Sequence, residues 1–183
     1  MSLHRREVVQ ELLSNKGDAL VVAGLGSTAW DITAAGDSPL SFPMWGAMGQ
    51  AAMMGLGLAL AQPKRRVLVI TGDGEMLMGL GSLATIGVQQ PQNLGIVVID
   101  NERYGETGMQ ATHTASSVDL SGVARACGLK VCAWKVIHQE TGPAFAVAKV
   151  LAEKVPLVLP PREGALLKAR FRRALLGPQA DSI

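Results

Sequence analysis

Two short polar clusters in this chain have the residue types of a metal-assisted anion site. Gly72-Asp73-Gly74 ends one uncharged, β-branched run, and Asp100-Asn101 ends the next, with the twenty-five residues 75–99 between them. A carboxylate and an amide are hard oxygen ligands. Together with one backbone carbonyl, diphosphate oxygens and water they complete the octahedral shell that Mg²⁺ requires. Glycines flanking Asp73 permit a tight turn and let backbone N–H groups come close to an anion. A lone Gly-Asp-Gly is a common strand-end turn. Its pairing with Asp-Asn at the end of the next run is what points to a metal-bound diphosphate.

Those residues can share a site only if the two runs are neighbouring strands that end on the same side of a sheet. The chain predicts such a sheet. A helix around Val8, Val9, Leu12 and Leu13, stopped by "NKGD", precedes a buried strand at "ALVVAGLG". Ser27 is the expected N-cap of a short helix through Ala35, and "LSFPMWGAMG" reads as irregular. "QAAMMGLGLALA" is apolar around its whole circumference and predicts a helix buried on all sides, with Gly55 and Gly57 allowing close packing. Strands at 67–71 and 96–100 flank a "GDGEMLMG" loop and a helix over 80–90. A helix at 119–127, a strand at 130–136, a helix in "TGPAFAVAKVLAEK" with Phe145, Ala148 and Leu151 on its apolar face, a strand at "PLVLPP" and a basic helix over 163–176 follow. This alternation predicts an α/β fold, a doubly wound parallel sheet with helices on both faces. Ligands of such sheets sit outside the C-terminal ends of the strands.

Composition narrows the function classes. The 183 residues allow one full core, and no linker or repeat divides 1–183 into more than a single domain. A net charge of +2 and only 4% aromatic residues argue against nucleic acid as a partner. No stretch is long and apolar enough for a membrane span, and the charged N-terminus does not read as a signal peptide, so a cytoplasmic protein is expected. The low charged fraction suggests a surface covered by a partner. Cys127 and Cys132, the two cysteines, read as reduced, partly buried thiols and not as a metal framework.

The stretch from Gly72-Asp73-Gly74 to Asp100-Asn101, followed by Arg103, Tyr104 and Gly105, resembles the thiamine diphosphate motif. The resemblance implies a thiamine diphosphate-binding fold with Mg²⁺ held by Asp73, Asn101 and the main-chain oxygen of Arg103. Gly72, Gly74, Glu75, Tyr104 and Gly105 then belong to the cofactor-binding loops. Upstream, "WGAMG" resembles the family loop in which an apolar side chain wedges the cofactor into its bent form. That implies this role for Met48, beside Ala47, and a hydrogen-bond acceptor role for the Gly46 carbonyl. Glu75 stands where many family members carry a small residue; its carboxylate must point away from diphosphate or bind a donor.

In the family a glutamate activates the cofactor from a separate pyrimidine-binding domain. Glu7 and Glu11 read as solvated helix charges, so the resemblance implies a glutamate-bearing partner subunit in an oligomer. The size and "YGETGMQATHT" are most similar to the β subunits of sulfopyruvate decarboxylase and to phosphonopyruvate decarboxylases, implying decarboxylation of a small 2-oxoacid to an aldehyde. A carboligase, a 2-oxoacid oxidoreductase subunit and a non-catalytic cofactor-binding relative remain alternatives on the same half-site. His113 is a candidate catalytic residue for a proton or an anionic substrate group. Thr107 and Gln110 share its loop. Lys168, Arg172 and Arg173 read as a solvated basic face.

Overall fold

The computed structural model describes residues 3–181. Six parallel strands form one sheet in the order β2-β1-β3-β4-β8-β7: β1 Leu20–Ala23, β2 Ser41–Pro43, β3 Val67–Gly72, β4 Leu94–Asp100, β7 Lys130–Val131 and β8 Ala144–Lys149. Residues alternate between two cores. Val67 and Val69 pack to one side, under helices α3 (Ala51–Ala61), α5 (Ser82–Gln89), α6 (Leu120–Ala126) and α7 (Gly164–Leu176). Leu68 and Ile70 pack to the other, under α1 (Arg5–Ser14) and α2 (Ser27–Ala34). Central strands covered on both faces must be apolar throughout, which is why β1, β3 and β4 carry no alternating pattern. The doubly wound parallel sheet with helices on both faces is the architecture expected from the sequence.

Several elements differ from expectation. The "GDGEMLMG" stretch is not a loop but a helix, α4, at Asp73–Met78. Gly74 is tolerated inside it because a Cβ there would lie 2.4 Å from the Tyr104 ring, which occupies that space instead. Ala144–Lys149 is a strand, hydrogen-bonded between β4 and β7, where helical spacing was expected. A short apolar run satisfies both periods, and only the slot between two strands decides it. "PLVLPP" forms no strand: Leu157, Val158 and Leu159 are exposed, and prolines on either side remove ladder donors. The "LSFP" stretch supplies the edge strand β2, and the strand expected over 130–136 shortens to two residues before a 3₁₀ turn at Trp134–Gln139. Ser27 opens α2 without capping it; Gly26 is the cap.

The apolar helix α3 buries only one side. Ala51, Ala52, Gly55, Leu56 and Ala59 face the sheet, whereas Met54 and Leu60 are exposed, at 39% and 50%. Gly55 does allow close packing, since a Cβ would stand 2.2 Å from Val69; Gly57 faces open space. Among the described residues, no helix is long and apolar enough to cross a membrane. Cys127 and Cys132 are free and partly buried, as expected.

Candidate functional site

The strand order reverses between β1 and β3, since the chain leaves β1 for β2 on one side and returns to β3 on the other. Beyond the C-terminal ends of β1, β3 and β4, at this switch point, lies a cleft of about 720 Å³ including its open mouth. Leu25, Ser27 and Thr28 line it after β1, Gly72, Asp73, Gly74 and Glu75 after β3, and Asn101 after β4. Parallel pairing of β3 with β4, with Gly72 opposite Ile99, brings Asp73 and Asn101 to one crevice. Arg103, Tyr104, Gly105 and Thr107 cover it from the following ribbon, in which β5 (Arg103–Tyr104) pairs with β6 (Gln110–Ala111). The first residues of α2 and α4 face the cleft, so the positive ends of both helices favour an anion there.

Met48 reaches the same cleft from the loop after β2. Two contacts hold that loop. Gly49, at φ +89°, lies against Gly79 so closely that a Cβ on Gly79 would stand 2.0 Å from the Gly49 carbonyl oxygen. Trp45 donates its indole N–H to the Pro161 carbonyl at 2.8 Å. Gly46 and Ala47 belong to this exposed loop but do not line the cleft, and Ala47 takes the left-handed conformation at φ 58°.

Asp73 is 2% exposed. Its Oδ2 accepts a hydrogen bond from Thr112 at 2.6 Å, and the Thr114 hydroxyl oxygen lies 3.3 Å away. Burial raises its pKa, the Thr112 bond lowers it in part, and the nearby Asp100 charge raises it further. Among the described residues no cationic side chain pairs with Asp73, whereas Asp100, equally buried, has Lys149 at 2.9 Å. Burial works to lower the Lys149 pKa, but its bonds to Glu102 and Asp100 outweigh that and hold it above its ordinary value. A divalent cation bound at Asp73 would supply the missing positive charge. Asn101 offers its side-chain oxygen, which already accepts from the Arg103 N–H at 3.0 Å. At Gly72 a Cβ would meet nothing within 4 Å, so the cleft wall is open where an anion would lie. These residues fit a metal-bound diphosphate. Among the described residues, no three His, Cys, Asp and Glu side chains cluster into a cage of their own. Mg²⁺ sites that borrow phosphate oxygens need none.

Glu75 follows the second course open to it. Its Oε2 accepts from the Thr71 hydroxyl at 3.0 Å, and the carboxyl packs where a Cβ on Gly24 would otherwise stand. Burial pushes its pKa up, against the lowering effects of Thr71 and of the Ala51, Gly49 and Leu25 amides. His113 is exposed and lines an adjoining apolar groove with Leu77, Met78 and Val118, not the cleft itself. Thr107 bonds Gln110 at 2.9 Å at the ribbon tip. Glu7 and Glu11 are exposed, Glu11 pairing with Lys135. On α7, Lys168 and Arg173 are exposed, and Arg172 is half-buried and reaches the Ala180 carbonyl.

Sequence reasoning missed four groups at this site. Arg5 lines the cleft from α1, buried, with its guanidinium on Asp31 at 2.5 Å and the Ser27 carbonyl at 3.1 Å. Glu106 lies against Gly26 and bonds Ser27, and burial pushes its pKa up. Ser27-Thr28, a Gly-Ser-Thr turn opening a helix after a strand, carried a signal that was legible. Arg5, Glu106 and the Thr112/Thr114 pair carried none, because their partners are remote in sequence.

Comparison with known proteins shows the family and agrees with the fold. Residues 26–160 match the family described as thiamine pyrophosphate enzyme, C-terminal TPP binding domain. The chain is 35% identical over 185 residues to the sulfopyruvate decarboxylase subunit beta of Methanocaldococcus jannaschii, covering 93% of this chain and 96% of that protein. Over 113 residues it is 48% identical to the phosphonopyruvate decarboxylase of Streptomyces viridochromogenes, covering 62% of this chain and 28% of that one. A putative thiamin diphosphate-dependent enzyme from Mycobacterium smegmatis superposes with a TM-score of 0.70 at 22% identity, covering 83% of this chain and 32% of that one. The present chain therefore spans about a third of that solved structure, and the likeness is one of fold.

Proposed function

The chain belongs to the thiamine pyrophosphate enzymes, carrying their C-terminal TPP binding domain, and on that premise we propose that it is the diphosphate- and Mg²⁺-binding subunit of a 2-oxoacid decarboxylase. The substrate class is a small 2-oxoacid of the sulfopyruvate or phosphonopyruvate kind, supported by the relatives of those names. A partner subunit supplies the activating glutamate. The name "subunit beta" of the relatives supports a partner, as does the exposed apolar side of α3. Residues 1–183 are read as one domain, and the unpaired thiols support a cytoplasmic setting.

Thiamine diphosphate, when bound, supplies the electron sink for loss of CO₂. The chain's own residues bind and orient it. Asp73, Asn101 and the Arg103 carbonyl would hold Mg²⁺. The backbone of Gly72, Gly74, Glu75 and Gly105, which lines the cleft, would hold the diphosphate, with Tyr104 packed on Gly74. Met48 presents an apolar side chain at the cleft, and Gly46 and Ala47 shape its loop. His113 lies in the apolar groove next to the cleft.

One observation carries this reading: Asp73 and Asn101, from adjacent strands, open on one cleft in which buried Asp73 has no cationic partner among the described residues. Calorimetric titration of thiamine diphosphate with Mg²⁺ into the chain, alone and with its partner subunit, tests it beside Asp73→Ala. Metal-dependent binding abolished by the substitution is expected. Absence of binding in both preparations overturns the assignment.

A further inference from the structure

The ribbon after β4 touches the site in two places. Its first strand, β5, contains Arg103, whose carbonyl is assigned to the metal. Across the ladder Arg103 stands opposite Ala111, and the next residue, Thr112, donates its backbone N–H to the Glu102 carbonyl at 3.0 Å. Thr112 and Thr114 are 3% and 6% exposed, and both hydroxyls turn inward between the two buried carboxylates. Thr112 Oγ1 lies 2.6 Å from Asp73 Oδ2. Thr114 Oγ1 lies 2.8 Å from Asp100 Oδ1 and 3.3 Å from the same Asp73 Oδ2. Each hydroxyl has one proton to donate. The distances give Thr112's proton to Asp73 and Thr114's to Asp100. Among the described residues, no side-chain donor reaches Asp73 Oδ1.

We propose that Thr112 is a positioning residue for the metal site, its hydroxyl fixing the Asp73 carboxylate by Oδ2 so that Oδ1 is held for the cation. Thr114 supports it by tying the Thr112 turn to Asp100, which Lys149 anchors from β8 at 2.9 Å. One ribbon thereby sets the Arg103 carbonyl and the Asp73 carboxylate in mutual register, so that two of the three protein ligands are placed by one element. This rests on the proposed Mg²⁺–diphosphate reading. Outer partners that orient metal ligands are commonly worth about 10- to 100-fold in metal affinity.

Mn²⁺ binding at saturating thiamine diphosphate, followed by the loss of the free Mn²⁺ electron paramagnetic resonance signal, tests the proposal on the chain with its partner subunit. Thr112→Val keeps the shape and removes the hydroxyl; Thr112→Ser keeps the hydroxyl and removes a methyl. Positioning predicts Mn²⁺ affinity about 10- to 100-fold weaker in the valine variant and near wild type in the serine variant. Thr114→Val is expected to fall between them. Thr112→Ala serves where Thr112→Val does not fold. A merely packing role predicts the reverse order, serine weaker than valine, and that result overturns the proposal. So does equal affinity in all variants when the wild type binds. Failure of the wild type to bind Mn²⁺ in a cofactor-dependent way overturns the cofactor reading itself and this inference with it.

Discussion

Two glycine-to-alanine substitutions seven residues apart should have opposite signatures. Gly72 has φ −87° and ψ 162°, extended backbone that alanine adopts without strain, and its added methyl meets no atom within 4 Å. Gly72→Ala therefore keeps or slightly raises stability, by about 0.4–1 kcal/mol through the unfolded chain. That corresponds to a Tm gain of about 1–4 °C for a protein of this size. The same methyl stands in the cleft where the diphosphate is placed. Overpacking of about 1–3 kcal/mol weakens thiamine diphosphate binding by about 5- to 150-fold. Gly79, at φ −101° and ψ 25°, also accepts alanine conformationally, but its methyl would lie 2.0 Å from the Gly49 oxygen and 2.8 Å from the carbonyl carbon. Both obstacles are backbone, so the Met48 loop must retreat by at least about an ångström to restore contact. Gly79→Ala should lower stability by about 1–3 kcal/mol, a Tm loss of about 2–12 °C, and weaken cofactor binding through the displaced Met48. Scanning calorimetry and calorimetric titration read both quantities. Wild-type affinity in Gly72→Ala would refute the placement of the diphosphate on that wall. An unchanged Tm in Gly79→Ala would refute the claim that Gly49–Gly79 contact pins the loop.

Glu75 is buried and its pKa is raised, so the folded chain holds that proton more tightly than the unfolded one. This stabilisation is complete below the ordinary value of 4.5 and is lost as pH rises through the folded value. Glu75→Gln should thus flatten the decline in stability as pH rises above 4.5 in denaturant titrations, leaving the slope due to Asp31 and Asp73, whose pKa values are also raised; an unaltered slope contradicts it. Phe145 and Leu151 would share a helix face, but Phe145 is wholly buried in the strand while Leu151, beyond its end, is 39% exposed. Phe145→Ala should cost about 3–5 kcal/mol and Leu151→Ala well under half of that by urea unfolding, and equal costs would argue against the strand.

Local chemistry made the diphosphate half-site legible from the chain alone. Gly72-Asp73-Gly74 and Asp100-Asn101 each sit within a few residues of an uninterrupted apolar run, and such runs report strands buried on both faces whatever their neighbours are. The same reasoning failed where a segment's state depends on what lies beside it. Ala144–Lys149 is a strand because β4 and β7 leave a slot with donors and acceptors on both sides. α3 is apolar all round, but which side meets the sheet and which awaits other contacts is a property of the assembled layers.

By itself, then, the order of residues determined the strand–helix alternation, the parallel sheet and the identity of the carboxylate and amide at its strand ends, because these follow from periodicity and from side-chain chemistry within short windows. Tertiary structure alone decided that Thr112 and Thr114 converge on Asp73, that Arg5 reaches the cleft from the first helix, and that Gly49 and Gly79 hold the Met48 loop. Hydrogen bonds of about 3 Å and backbone contacts depend on positions in space, and residues 22 to 41 apart in the chain carry no local mark of meeting.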